Sequence, residues 1–543
     1  MNDETTSVLI VGGGPTGLTA SRLFSNLKIE HVLIEKRASP QQSPAAHVIN
    51  RRTMEIFRQA GLKMEPLYAL DKHALNTLAV RWKSSLRGPA LATVWLERSP
   101  QSSAISAEHV ANISQPLLEQ RLLTEVDESE FASIRFSHEW LGFADDAKSR
   151  HRIRASDGST YVVGCEYTLA ADGAGSSLRR TLGIGKTGPD KVATFLSLSC
   201  EVNRSDGDEE SNDLLTWCLD PKFSGVTITH DPQSLTVVMR QIHEPHESIE
   251  DYDEATCHAM LTELFGPDIP YTLLNRDAWR MTAQVADCFR VGNVFLVGDA
   301  AHRFPPTGGL GLNSGVADVH NLVWKIAAHR NGATDALLDT YESERMPVVQ
   351  RNCDASLENF RRMDDVIDAI GLDVGKAALP ARVLGAPLIR TLPKGFRAWL
   401  FDRLTAPARR ILDRAGAASD EGEQKRQAIQ HAADEQRPHF DMPELELGYV
   451  YPAGEAIADG AGQRFPHTDL GRKHDPKDSI LTRFDYAAYT LLTNDLEDAA
   501  PEVATFGFPL HQVAETSLGL KQGEWMLVRP DGHVADQSHK EIH

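Results

Sequence analysis

One histidine and three glycine-bearing turns hold the residue types and spacings in this chain that could do chemistry. The first turn, Gly12-Gly13-Gly14-Pro15-Thr16-Gly17, follows the apolar run Ser7–Val11 and opens a helical pattern that ends near Leu27. A second apolar run, from Val32, ends in Glu35, 23 residues after Gly12. In such a βαβ unit Gly12 permits the tight turn, Gly14 lets the backbone approach a pyrophosphate and Gly17 lets the helix pack on the strand. The terminal acid, Glu35, is placed to bind a ribose hydroxyl. In the second turn the run Tyr167–Ala171 leads into Asp172-Gly173 and a Ser-rich helix start at Ser176 and Ser177. The third is the centre of the chain: Val294–Val297 runs into Gly298-Asp299, then Pro306, Gly308, Gly309, Gly311 and Asn313. A strand ending in Asp and a glycine-rich turn opening a helix suit a ribose- or ribityl-bearing cofactor. The carboxylate accepts from its hydroxyls, and bare N–H groups at the helix start favour an electron-rich group.

His47 stands five residues before Arg52, where a helical pattern carrying Met54 and Phe57 begins. An imidazole with a pKa of about 6.5 can take a proton at neutral pH. The alternative is a histidine that only hydrogen-bonds its loop. Arg52 could place its guanidinium on a diphosphate. Gln115 opens another helical stretch, either as a contact to bound ligand or as a cap.

These groups need elements to hold them. The three turns each follow a buried-strand pattern and precede a helical one, which implies an α/β layer. From about Phe195 to Arg290 the period changes to alternation, as in Gly225–Thr229 and Leu235–Met239, and Thr93–Leu96 reads the same way. A mostly antiparallel sheet follows, inserted between parts of the cofactor fold as one wall of a cavity. Trp82, Trp95, Trp217, Phe223 and Arg240 are its candidate lining residues.

A chain of 543 residues exceeds one core and implies two or three domains. With 56 basic and 76 acidic residues the formal charge is −20, which argues against nucleic acid or an anionic membrane as a partner. No apolar run approaches the roughly 18 residues a membrane span needs. The polar, acidic start lacks the form of an export signal, and six scattered cysteines suit reduced thiols, so a cytoplasmic address is expected. No metal site is expected either.

The central stretch Gly292–Asn313, with the Gly12–Gly17 turn and Asp172-Gly173, resembles the class A flavoprotein aromatic hydroxylases, the group that includes p-hydroxybenzoate and phenol hydroxylases. The resemblance implies an α/β Rossmann-like FAD-binding domain, an inserted β-sheet substrate domain and a C-terminal thioredoxin-like domain. The FAD-binding parts would be 1–73, 111–190 and 291–350, and the substrate segments 74–110 and 191–290. A helical region and linker would fill 351–440, and a thioredoxin-like domain without Cys-x-x-Cys would occupy 441–543. Noncovalent FAD, NADH or NADPH as electron donor, O2 and a small aromatic substrate are implied, with a homodimer as the family's commonest arrangement. The reaction implied is hydroxylation of a phenolic ring through a flavin C4a-hydroperoxide. His47 matches the position of the base that accepts the phenolic proton, and the carbonyl of Pro306 would face the reacting edge. Arg52, Gln115, Asp172, Gly173 and Asp299 match FAD-contacting positions, with Gly308, Gly309, Gly311 and Asn313 around the isoalloxazine ring. Several relatives that act on phenols carry an Arg two residues before the His; here that residue is Ala45. Two alternatives stand beside this expectation: tailoring of a polycyclic polyketide or other fused aromatic, and a non-catalytic flavin-binding sensor or scaffold.

Overall fold

The structure, a computed structural model, describes residues 3–538 except 74–76, 98–103, 204–212, 374, 376–377, 472–477 and 496–503. The continuous apolar run Val8–Val11 forms the end of β1 (Asp3–Val11). It lies between two parallel neighbours, the strand Thr160–Ala170 and β2 (His31–Glu35), and is buried on both faces. That double burial is why the run is continuous rather than alternating. The helix α1 (Pro15–Asn26) crosses between β1 and β2. The main path of this sheet runs Arg290–Val291, Val294–Leu296, Thr160–Ala170, β1, β2, Ala132–Phe136. Because Val294–Leu296, Thr160–Ala170 and β1 are mutually parallel, their carboxyl ends share one edge. Each runs directly into one of the three glycine turns, so the topology brings together what the sequence spreads over 300 positions. Ligands bind in the crevice outside such an edge.

A second sheet has seven strands, in the order Tyr271–Met281, Ala193–Val202, Leu235–Ile242, Gly225–Asp231, Asp213–Cys218, Thr77–Lys83, Ala90–Glu97. All pairs are antiparallel except Asp213–Cys218 with Thr77–Lys83. The segment after residue 76 and the segment after residue 190 therefore build one layer. Near Val80, Trp82 and Val94 this layer packs against Val366, Ile370, Leu412 and Ile429. These come from the helices Asp364–Ile370, Lys394–Gly416 and Asp420–Asp434. The Ser419 side chain caps the third of these helices, which packs on Ala90–Glu97.

The C-terminal sheet runs Leu510–Ala514, Tyr489–Thr493, Trp525–Val528, Val534–Gln537, with the first pair parallel and the others antiparallel. It packs on the central helix Leu310–Arg330, where the Tyr486 hydroxyl donates to the His320 carbonyl at 2.8 Å and accepts from the Trp324 N–H at 3.2 Å. All six cysteines are free thiols, and among the described residues no helix is long and apolar enough to cross a membrane.

Candidate functional site

A cavity of about 1150 Å³ lies between the edge carrying the three turns and the second sheet. Of the residues expected from sequence, Gly14, His47, Gln115, Gly173, Asp299, Pro306, Gly308, Gly309 and Gly311 line it. Two helix starts face inward with no side-chain cap. One is α1, which follows Gly14 and begins with Pro15; the other is Leu310–Arg330, which follows Gly309 at φ 64°. Their unpaired N–H groups form the electropositive ends that a phosphate or an electron-rich ring edge would occupy. Glycine is required at the second start, since a Cβ on Gly309 would stand 2.9 Å from Val48 Cβ. The Pro306 carbonyl accepts from the Gly309 N–H at 3.0 Å and closes this turn.

Asp299 opens onto the cavity and accepts no hydrogen bond from the described residues. Enclosure raises its pKa, opposed by the positive fields of His302, Arg303 and Lys186. A carboxylate open to the cavity and without donors is a site for ligand hydroxyls. Gln115 sits at the start of the helix Gln115–Asp127; its amide donates to Glu119 Oε1 at 2.8 Å and accepts from the Ala46 N–H at 3.4 Å.

Other expected residues stand behind the surface. Gly12 and Gly17 act sterically: a Cβ on Gly12 would lie 2.1 Å from the Ala171 carbonyl oxygen, and one on Gly17 2.0 Å from that of Gly12. Glu35 accepts from the Gly13 N–H and the Arg37 N–H, both at 2.8 Å, and pairs with the Arg37 guanidinium, so it braces the turn from outside the cavity. Asp172 Oδ2 accepts from the Ser177 and Leu178 N–H groups at the start of the helix Ser177–Thr181, which Ser176 caps, leaving Oδ1 buried without a partner. Asn313 donates to the Val48 and Gly309 carbonyls and accepts from the Asn50 N–H, tying two lining segments together.

Arg52 departs from its expected place. Its guanidinium pairs with Glu55 at 3.2 Å and donates to the Asp531 carbonyl at 2.7 Å, facing the C-terminal domain. One step along the helix Arg51–Gln59 turns the side chain by about 100°. It is Arg51 that reaches the cavity, held by Asp441 at 2.9 Å and Glu446 at 3.1 Å.

His47 lies beside the short strand pair Val48–Ile49 with Ala111–Asn112. Its Nδ1 is 2.5 Å from Asn112 Oδ1, and its ring centroid is 4.7 Å from that of His230. Burial, above all, lowers its pKa to about 4, with His73 acting in the same direction and Asn112 and Asp71 opposing. The wall opposite is aromatic and aliphatic, including Trp82, Trp217, Met239 and the stacked pair Phe195 and Trp279, 5.2 Å apart. Trp95 is instead 44% exposed, Phe223 is buried in a separate core and Arg240 is paired with Glu247. Asn112 and His230 escaped the sequence reading. For His230 a signal existed, since alternation along Gly225–Asp231 places it on one face with Val226 and Ile228, and all three line the cavity. Asn112 carries no such signal; only pairing with the His47 segment brings it in.

The residues present fit FAD: two uncapped helix starts, glycines at close approaches and a donor-free carboxylate share one crevice. The volume is at the upper end of small-molecule sites, which suits a ligand as large as FAD. Comparison with known proteins agrees. Residues 5–356 match the family described as FAD binding domain. A putative polyketide hydroxylase of Streptomyces coelicolor is 33% identical over 63% of this chain and 56% of its own length. The tetracenomycin B2 monooxygenase-dioxygenase of Streptomyces olivaceus is 28% identical over 98% of this chain and 95% of its own. The 2,4-dichlorophenol 6-monooxygenase of Cupriavidus pinatubonensis is 30% identical over 69% and 64%. In three dimensions the chain is similar to the flavin-dependent monooxygenase PieE in complex with FAD and substrate, with a TM-score of 0.81, 26% identity and coverage of 99% and 97%. The chain thus belongs to the FAD-binding domain family, among the flavoprotein aromatic hydroxylases.

Proposed function

We propose that this chain is a single-component monooxygenase that places one oxygen atom of O2 on a phenolic ring, with His47 as the base for the ring hydroxyl. The observation that carries this reading is the His47 imidazole lining the same cavity as the Gly308–Gly311 loop, with burial favouring its neutral form. FAD, when bound, supplies reduction by NADH or NADPH and the activation of oxygen. The protein's own groups do the rest. The carboxylate of Asp299, open to the cavity, orients cofactor hydroxyls, and the uncapped helix starts hold electron-rich groups. The aromatic wall keeps water from the reacting centre. The proton of the ring O–H passes to a nitrogen of His47, and the oxygen lone pair then raises electron density at the ortho and para carbons.

A low pKa does not disqualify this base. Burial penalises an isolated imidazolium, but the same low-dielectric site strengthens its attraction to a phenolate beside it. At neutral pH the acceptor form is essentially fully populated. A second substrate reading, a fused aromatic of polyketide type, is favoured by the cavity volume and by the tetracenomycin B2 relative that spans nearly the whole chain.

The test is NAD(P)H oxidation by FAD-loaded protein across simple phenols and fused aromatics, with peroxide and product measured together. Oxidation with little peroxide and a product heavier by one oxygen is expected. Silence across both groups with both coenzymes would sink the assignment.

A further inference from the structure

The His47 imidazole has two nitrogens, and only the one without hydrogen can accept a proton. Which one that is follows from its neighbour. Asn112 Nδ2 lies 2.8 Å from His73 Nδ1 and 3.3 Å from the Thr229 carbonyl oxygen. A carbonyl oxygen only accepts, so the NH2 end of the amide faces Thr229 and the oxygen end faces His47. Asn112 Oδ1 therefore accepts, and the hydrogen between it and His47, over 2.5 Å, sits on Nδ1. Nε2 is left with its lone pair and no partner among the described residues, on a side chain that lines the cavity.

We infer that Asn112 is the positioning residue of the site: it fixes His47 as the Nδ1–H tautomer and so presents Nε2 to the ring hydroxyl of the substrate. The surroundings hold Asn112 as firmly as Asn112 holds His47. Its N–H donates to Asp71 Oδ2 at 2.7 Å, and its strand pairs with Val48–Ile49. On its other side the Ile113 N–H donates to the His47 carbonyl at 2.8 Å. His230, 3% exposed and with neither ring nitrogen partnered, packs against the His47 ring without competing for a hydrogen bond. The groups facing His47 are thus Asn112, His230, His73 and Asp71. Among the described residues no His, Cys, Asp or Glu group has the arrangement to hold a metal, so the cluster is read as a proton site.

This inference rests on His47 being the base, and the two can fail separately. In 15N-histidine NMR of the FAD-loaded protein, with the His47 signals assigned by their loss in His47→Gln, a neutral ring protonated on Nδ1 is expected. Asn112→Leu removes the acceptor, so a mixture of tautomers should appear, with kcat falling about tenfold or more and KM little changed. Asn112→Asp keeps an acceptor in place and adds negative charge. It should retain the Nδ1–H tautomer and move the acid limb of the kcat profile to higher pH, since an anion raises the pKa of His47. A wild-type ring protonated on Nε2 would overturn the inference. So would an unchanged tautomer in Asn112→Leu, or, should that variant not fold, loss of the Nδ1–H form in Asn112→Asp. If His47→Gln hydroxylates at the wild-type rate, the base assignment falls while the tautomer result stands.

Discussion

At the level of single residues the site separates groups that meet ligand from groups that shape it. On the proposed reading His47 belongs to the first set. Because burial holds its pKa near 4, the acid limb of hydroxylation governed by this group should lie well below the value of about 6.5 for a free histidine. A profile of kcat against pH that falls through pH 6.5 would show that another group controls the rate. His47→Ala should retain FAD yet lose most turnover, with partial recovery at high pH as the substrate ionises unaided. Asp299 is the contrasting case: without its carboxylate the ligand hydroxyls lose an acceptor, and Asp299→Ala should purify with little flavin by absorbance ratio. Arg52 provides a third comparison. Its guanidinium meets Glu55 and the Asp531 carbonyl, so Arg52→Met should lower the melting temperature while leaving FAD affinity nearly unchanged. A loss of flavin affinity without loss of stability would return Arg52 to the cofactor.

The elements show why so much of this was legible before any coordinates. Parallel strands buried on both faces give continuous apolar runs, and a strand-turn-helix junction leaves its glycines and acid at fixed spacing. The three turns were therefore visible, and so was the cavity they bound. Which way a side chain points from a helix start was not visible, and Arg51 rather than Arg52 lines the cavity because one residue is about 100° of rotation. Nor could local patterns report Asn112, whose role depends on a two-residue strand pairing across some 60 positions. The region 351–440 could be read only as helix and linker together, since a polar helix face and a polar linker share a composition until packing is known. The tightest element is the first turn. Gly12 has φ 115°, and a Cβ there would meet the Ala171 carbonyl at 2.1 Å, a clash between two backbones that no rotamer relieves. Gly12→Ala should consequently lose FAD and stability together, with Tm reduced by several degrees as a strained position and a steric overlap add. Soluble protein with full flavin occupancy would contradict this geometry.

The whole molecule is held by charge and imidazole that burial has removed from water, and that makes its stability depend on pH in a definite direction. Where the C-terminal sheet meets the central helices, Arg529 donates to both carboxylate oxygens of Glu344 at 2.8 Å, and Lys325 donates to Glu344 at 2.9 Å. Asp531 completes a balanced set of two cations and two anions, all buried. Removing one partner from such a set strands a charge and costs about 3–5 kcal/mol, so Glu344→Gln should loosen the C-terminal domain. The attraction of Arg529 and Lys325 outweighs burial and lowers Glu344 to about 2, so its contribution is present above about 4.5 and lost as pH falls toward 2. The histidines act earlier. Burial lowers His31 and His151 to about 4 and His533 to about 3. Each folded pKa is below the unfolded value, so between about pH 6.5 and 4 the unfolded chain binds protons that the folded one refuses. Stability must then rise with pH across that window. At about 1.4 kcal/mol per pKa unit, several such groups together rival the whole folding free energy of a domain. Thermal unfolding should therefore show Tm falling from about pH 6.5 downward, before the Glu344 network titrates, and His533→Gln should flatten part of that slope. A Tm that holds constant from pH 7 to 5 would mean that these imidazoles take up protons in the folded state, and the buried, neutral arrangement around Tyr451 and His533 would have to open to admit them.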